Sequence, residues 1–368
     1  MNITKMEFTQ INSLYYSLPT LSGIEKVASF DMDGTLIKTK SGFAFASNKD
    51  DWEFLFENTV QKLKELNDQG YTIVIFTNQA GVTKNKLNIN DITVKINNIR
   101  KNFNFDINVF IATDDDYYRK PMTGMWDFFC SQTGIKSIND NSFYCGDAAG
   151  RVYGKNKKDF STSDLYFAHN INIKFITPEE LFNHPILCKQ LEITDNININ
   201  QYFNNTLPNI EKGNDQEMII LVGRPASGKS FFAKKYYDDY VYVNQDTLKT
   251  KAKCKKVVNE SVSNGKNIII DNTNGTKQTR KEFINMANKH NIIVKIYVFD
   301  VPLELSKHLN YVRTQILTGK IKLIPKIVYN IYEKKYEEPT DNEGIIIHVP
   351  FVPNIKEENL VAFYYKYN

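Results

Sequence analysis

At 368 residues, 42% hydrophobic and 24% charged, the chain has the composition of an ordinary soluble globular protein with room for two domains, each with its own core. No stretch reaches the ~20 apolar residues of a membrane span, and the N-terminus lacks the apolar core and small-residue site of a secretory signal. A net charge of +4 and a pI near 8.5 permit phosphorylated or nucleic-acid partners without arguing for them, while Cys130, Cys145, Cys188 and Cys254 form no CxxC pair and exclude a disulfide framework or zinc site.

Strand-length apolar runs recur from the N-terminus: "KVASF" (26–30), "YTIVIFTN" (71–78), "INVFIAT" (107–113), "SFYCGD" (142–147) and "IKFIT" (173–177). Helical segments lie between several of them, such as 58–70, where Gly70 suits a helix stop. Buried strands alternating with helices predict a parallel α/β sheet. Residues 189–217 lose periodicity and are rich in Asn, which reads as a linker or a loosely packed connection. The pattern restarts with "MIILVG" (218–223), "YVYVNQD" (240–246), "NIIIDNTN" (267–274) and "IIVKIYVFD" (292–300), a second α/β unit. The expected division is a domain at 1–186, a linker at 187–216 and a domain at 217–368.

The run 26–30 ends in Asp31 and Asp33, two like charges that repel, the more so when buried. The D-x-D-G-T pattern resembles the signature of haloacid dehalogenase-type phosphotransferases. Residues i and i+2 of a strand share a face, so both acids are expected to address one phosphate. Asp31 would attack phosphorus and form an aspartyl-phosphate. Asp33 would protonate the leaving oxygen and then deprotonate water. Thr77 and Asn78 follow the next run and would donate to phosphoryl oxygens. Lys120 in "YYRKP" would neutralise charge. Asp147 in "GDAAG" would hold Mg²⁺ together with Asp31 and the Asp33 main-chain carbonyl. Arg151, Lys155, Lys157 and Lys158 crowd the segment that follows, either a contact for an anionic strand or a solvated loop.

"GRPASGKS" (223–230) matches the phosphate-binding loop G-x-x-x-x-G-K-[ST], directly after a strand and before a helical segment. Gly223, Arg224, Pro225, Ala226, Ser227 and Gly228 would wrap ATP phosphates, Lys229 would reach the β- and γ-phosphates, and Ser230 would ligate Mg²⁺. Asp246 is read as the base for an acceptor hydroxyl, with a helix N-cap as the alternative. Asp271 is expected to bond to a ligand of Mg²⁺, or else to be an Asx-turn residue. Arg313 is expected on a lid and Arg280 as an acceptor-binding cation, each against the alternative of a solvated helix surface.

Beyond these patterns, "FDMDGTLIKTKSG", "GYTIVIFTNQAGV", "YYRKPMTGMWD", "GDAAGR", "KKDFS" and "ITPEELF" resemble the bifunctional polynucleotide kinase 3′-phosphatase family, as do "GRPASGKS", "VNQDTL", "DNTN" and "YEEPTDNEG". The resemblance covers about residues 24–352 and implies removal of 3′-phosphate and ATP-dependent phosphorylation of 5′-hydroxyl at nucleic-acid breaks, in DNA strand-break repair. It implies Asp31 as nucleophile, Asp33 as acid/base, Thr77, Lys120 and Asp147 completing that site, Asp246 as kinase base and Arg280 binding acceptor or phosphate. A monomer acting in the nucleus is expected. There are departures. About 23 residues precede the first motif, too few for the phosphopeptide-binding module of animal members. Gln245 stands where the family has arginine, and Tyr311 where the lid has one. RNA-end healing by the same chemistry and a degenerate end-binding protein are the competing readings, separated by matched DNA and RNA assays and by the intact acids and Lys229.

Overall fold

The apolar runs become the central strands of two parallel sheets in the computed structural model, which describes residues 7–44, 46–135, 139–153, 157–185, 197–317, 320–353 and 363–367. By its internal contacts the chain divides into Met1–Asn196 with Thr314–Leu323 and Lys366–Asn368 (unit 1), and Ile197–Arg313 with Ile324–Tyr365 (unit 2).

Unit 1 is built on a sheet ordered Thr9–Ile11, Leu14–Ser17, Ile107–Ala112, Tyr71–Asn78, Lys26–Phe30, Phe143–Cys145 and Lys174–Ile176. The last five strands run parallel, and the first two form an antiparallel hairpin along one side. Successive side chains point to opposite faces. In "IVIF", Ile73 and Ile75 therefore enter one core with Ile96 and Ile111, and Val74 and Phe76 enter another with Phe110 and Phe129. Burial on both faces is why these strands read as continuous apolar runs. The helix Thr59–Asp68 stops where Gly70 takes φ +84°, a left-handed turn that glycine adopts without strain. The helix Ile89–Arg100 starts where the Asn88 side chain accepts from Asn90 N–H.

Unit 2 is an all-parallel sheet ordered Val241–Val243, Ile268–Asp271, Glu217–Val222, Ile293–Asp300 and Ile345–Pro350. The central strand, Glu217–Val222, is wholly buried and delivers the chain into residues 223–230. Of the segment expected as a linker, 197–216 is described and packs on this unit. Ile199 is fully buried, and Ile197, Tyr202, Phe203, Leu207 and Ile210 lie against the same core. Its apolar residues are too irregularly spaced among asparagines to show a helix or strand period, yet they cover the sheet as an ordered strap. Among the described residues no helix is long and apolar enough to cross a membrane.

Candidate active sites

In both units the functional side chains gather at the carboxyl ends of parallel strands, the rim where an open α/β sheet binds ligands. In unit 1, Asp31 leaves the strand Lys26–Phe30 with its N–H donated to Cys145 O at 2.9 Å. Lys120 Nζ donates to Asp31 Oδ1 (2.6 Å), Tyr144 OH (2.6 Å) and Asp164 Oδ1 (2.7 Å). Asp31, Asp147 and Asp164 each bring an oxygen to within 4.8 Å of the others. Burial, reinforced by the charges of Asp164 and Asp33 and opposed by Lys120, pushes Asp31 up to about 7. Asp147 is likewise held well above the usual carboxylate range, by burial first and then by Asp164 and Asp31. Burial alone would lower Lys120, but Asp164 and Asp31 outweigh it and keep the ammonium protonated.

Two glycines make room for this cluster. Gly34 has φ +82°, and a Cβ there would sit 2.5 Å from Asp147 Oδ2. A Cβ on Gly146 would sit 2.5 Å from Asp164 Cβ. Three crowded carboxylates, all hard oxygen donors, fit Mg²⁺. Asp164 was not singled out from sequence: it lies in "STSDLYF", which reads as the start of a helix, with no motif spacing from Asp147.

Several expectations need correction. Strand alternation does not reach Asp33, because the strand ends at Phe30 and the chain turns, with Leu36 and Ile37 N–H donating to Met32 O. The Asp33 side chain instead receives Gln79 Nε2 at 2.6 Å and Lys95 Nζ at 3.1 Å. Thr77 Oγ1, which accepts from Gln79 Nε2 at 3.0 Å, keeps its own proton to donate. The Asn78 side chain is committed to the Lys120 backbone, donating to its carbonyl (3.1 Å) and accepting from its N–H (3.0 Å), so it orients Lys120 rather than a phosphate. Arg151 is buried and committed to the protein: it pairs with Asp159 (2.7 Å) and Glu179 (2.6 Å) and donates to Asp147 O (2.8 Å), pinning the loop that carries Asp147. Lys158 is exposed on a two-strand hairpin with Val152–Tyr153. Lys155 and the Lys157 side chain lie outside the described residues.

In unit 2, Ala226 (φ +59°) and Gly228 (φ +93°) bend the loop back so that the helix Lys229–Tyr236 begins behind it. Buried Ser227 lines the turn, and Pro225 O accepts the Ser306 hydroxyl. Lys229 Nζ donates to Gly223 O (2.9 Å), Arg224 O (2.5 Å) and Ser227 Oγ (3.2 Å). Burial pushes it down to about 8, with Asp271 opposing and Arg313 adding to the fall. Ser230 Oγ and Tyr242 OH both donate to Asp271 Oδ2 at 2.5 Å. A hydroxyl beside a buried carboxylate at the mouth of a phosphate loop suits the Mg²⁺ of a nucleotide. The Arg224 guanidinium is turned aside onto Glu333 (2.7 and 2.9 Å) and Val301 O, leaving its backbone to the loop.

Asp246 is exposed on the short helix Gln245–Leu248 and caps neither neighbouring helix. Asn244 accepts from Thr247 N–H, and Thr250 from Lys253 N–H. Gln245 gives its backbone N–H to Asn272 Oδ1 at 2.9 Å. Arg313, on the helix Leu303–Ile316, is half-buried and donates to Asn310 Oδ1 at 3.1 Å. It lies near enough to act electrostatically on Lys229 and to be acted on by Asp246. Arg280 does not bind acceptor: it is fully buried, bidentate with Glu343 (2.7 and 3.0 Å) and bonded to the Asn274 and Glu337 carbonyls.

Residues 26–182 match the family described as Polynucleotide kinase 3 phosphatase, and residues 249–339 the family described as AAA domain. A bifunctional polynucleotide phosphatase/kinase of Schizosaccharomyces pombe is 36% identical over 94% of this chain and 85% of its own length. A putative protein of the same description from Acanthamoeba polyphaga mimivirus is 35% identical over 89% of this chain and 84% of its own. A polynucleotide 3′-phosphatase of Saccharomyces cerevisiae is 31% identical over 43% of this chain and 87% of its own.

Proposed function

The chain belongs to the bifunctional polynucleotide phosphatase/kinase family, and from that premise we propose that it heals DNA strand ends, removing 3′-phosphate in residues 1–186 and phosphorylating 5′-hydroxyl with ATP in residues 217–368. The observation that carries the reading is the pairing on one chain of a carboxylate cluster around Lys120 with a phosphate loop whose Ser230 reaches Asp271.

Asp31, Asp147 and Asp164 would hold Mg²⁺ in the first site, and Ser230 with Asp271 would hold that of the nucleotide in the second. When bound, the ion neutralises the acids and polarises the phosphoryl oxygens. Asp31 supplies the attacking oxygen. Lys120, fixed between Asp31 and Asp164, offsets the charge that grows on the phosphoryl group. Thr77 donates to a phosphoryl oxygen, and Asp33 gives its proton to the departing 3′-oxygen and takes one from water. In the second site Lys229 and Arg313 offset charge on the transferred group, while Asp246 accepts the proton of the 5′-hydroxyl.

The test is a DNA nick bearing 3′-phosphate and 5′-hydroxyl, incubated with ATP and Mg²⁺ beside a matched RNA. Conversion of both DNA ends is expected. A chain that converts only the RNA, or neither end, would overturn the reading.

A further inference from the structure

Asp33 is gripped by two residues, Lys95 and Gln79, to which the reading above gives no role. Its side chain is 49% exposed, whereas the Lys95 side chain that meets Oδ1 at 3.1 Å is only 7% exposed. Gln79, also nearly enclosed, donates to Oδ2 at 2.6 Å and through the same nitrogen to Thr77 Oγ1 at 3.0 Å. Both carboxylate oxygens are thus fixed by donors rooted in the interior.

The place of Lys95 is unusual. It lies on the buried face of the helix Ile89–Arg100 with Ile92, Ile96 and Ile99, where helical spacing calls for another apolar side chain. A buried ammonium is costly unless paired, and an apolar residue of similar length would fill the space at least as well for folding. Its charge is directed instead onto the carboxylate that must give up and take back a proton. Ammonium and amide N–H groups only donate, and the two Asp33 oxygens accept one from each.

We propose that Lys95, seconded by Gln79, is a positioning residue of the phosphatase: it holds the Asp33 carboxylate where it takes a proton from the hydrolytic water. The proposal rests on the phosphatase reading above. In the first step an Asp31 oxygen bonds to phosphorus, the bond from phosphorus to O3′ breaks, and the Asp33 proton passes to O3′. In the second, water gives a proton to Asp33, its oxygen bonds to phosphorus, and the bond from Asp31 to phosphorus breaks. Inorganic phosphate leaves, and Asp33 is again protonated.

Lys95→Met keeps the length and removes the donor. On a 3′-phosphorylated oligonucleotide it should lower kcat roughly 10- to 100-fold with kcat/KM little changed, because only breakdown of the intermediate is slowed. Acid-quenched protein should retain more radiolabelled aspartyl-phosphate than the unaltered chain. Lys95→Arg should restore much of the rate. In an Asp33→Asn background, Lys95→Met should cost nothing further, because a residue acting through Asp33 has nothing left to act on. If Lys95→Met does not fold, as circular dichroism would reveal, Lys95→Gln carries the same comparison as a neutral donor. An unchanged kcat, a rise in KM alone, or an equal loss in the Asp33→Asn background would overturn the proposal. The two readings fail separately. Should the unaltered chain hydrolyse p-nitrophenyl phosphate but no 3′-phosphorylated oligonucleotide, the polynucleotide reading falls and Lys95 is tested on the small ester. Activity on neither substrate overturns both.

Discussion

The two sites differ in the sign of the charge they leave uncompensated. In unit 1 the excess is negative: three carboxylates crowd one lysine, and burial with mutual repulsion lifts Asp31 to about 7. In unit 2 it is positive at the loop: burial and Arg313 depress Lys229 to about 8, and its ammonium rests on its own loop carbonyls. The first suits a cation and the second a polyanion. Burial is the largest cause of both shifts, raising the acid and lowering the lysine, and a net charge of +4 reveals neither. Construction differs as well. Asp31 and Asp164 are tied together through Lys120, whereas Asp246, the proposed base of the second site, stands exposed.

The largest expected effect breaks the comparison in unit 1. Asp31→Asn should reduce release of phosphate from a 3′-phosphorylated oligonucleotide by on the order of 10⁴-fold or more, with 5′ phosphorylation by the same preparation retained. Loss of both activities in a folded variant would mean that the sites are not separate. Next, Lys229→Ala should cost 5′ phosphorylation about 10²- to 10³-fold and spare the phosphatase, as read by label transfer from ATP. Asp246→Asn should lower kinase turnover about 10²-fold or more with ATP affinity by nucleotide titration unchanged. A weakened affinity would place Asp246 on the nucleotide instead. Gly34→Ala tests the packing: a left-handed φ and the clash with Asp147 should together lower stability by about 1–3 kcal/mol, read from urea unfolding, and the phosphatase rate should fall with it. The smallest effect concerns the hairpin. Lys158→Ala should flatten the salt dependence of single-strand binding by about 0.7 in the log–log slope. An unchanged slope would return Lys158 to the solvated surface.

Much of this arrangement was legible in the chain. Asp31, Thr77, Lys120, Asp147 and the loop at 223–230 each follow an apolar run, and such runs report buried parallel strands directly. What stayed hidden shares one cause, the long-range partner. Arg151 and Arg280 looked like surface cations because nothing local reveals Glu179 or, at a separation of 63 residues, Glu343. Asp164 looked like a helix-start acid until the fold brought it to Lys120. Lys95 did leave a trace, a charge in the apolar stripe of Ile92, Ile96 and Ile99, which periodicity alone could have flagged. The strap at 197–216 left no such trace, because its apolar residues obey no period.

The hairpin Thr9–Ser17 bears on how the protein behaves in a crowded cell. The strand Ile107–Ala112 is buried along its whole length and would otherwise offer an open row of amides to any passing chain. With the hairpin zipped beside it, the outermost strand is Thr9–Ile11, three residues long and exposed throughout. So short and wet a margin gives a neighbouring molecule little to extend. Deleting that ribbon should therefore bring clumping, seen as light scattering on storage, while freshly prepared protein still turns over substrate.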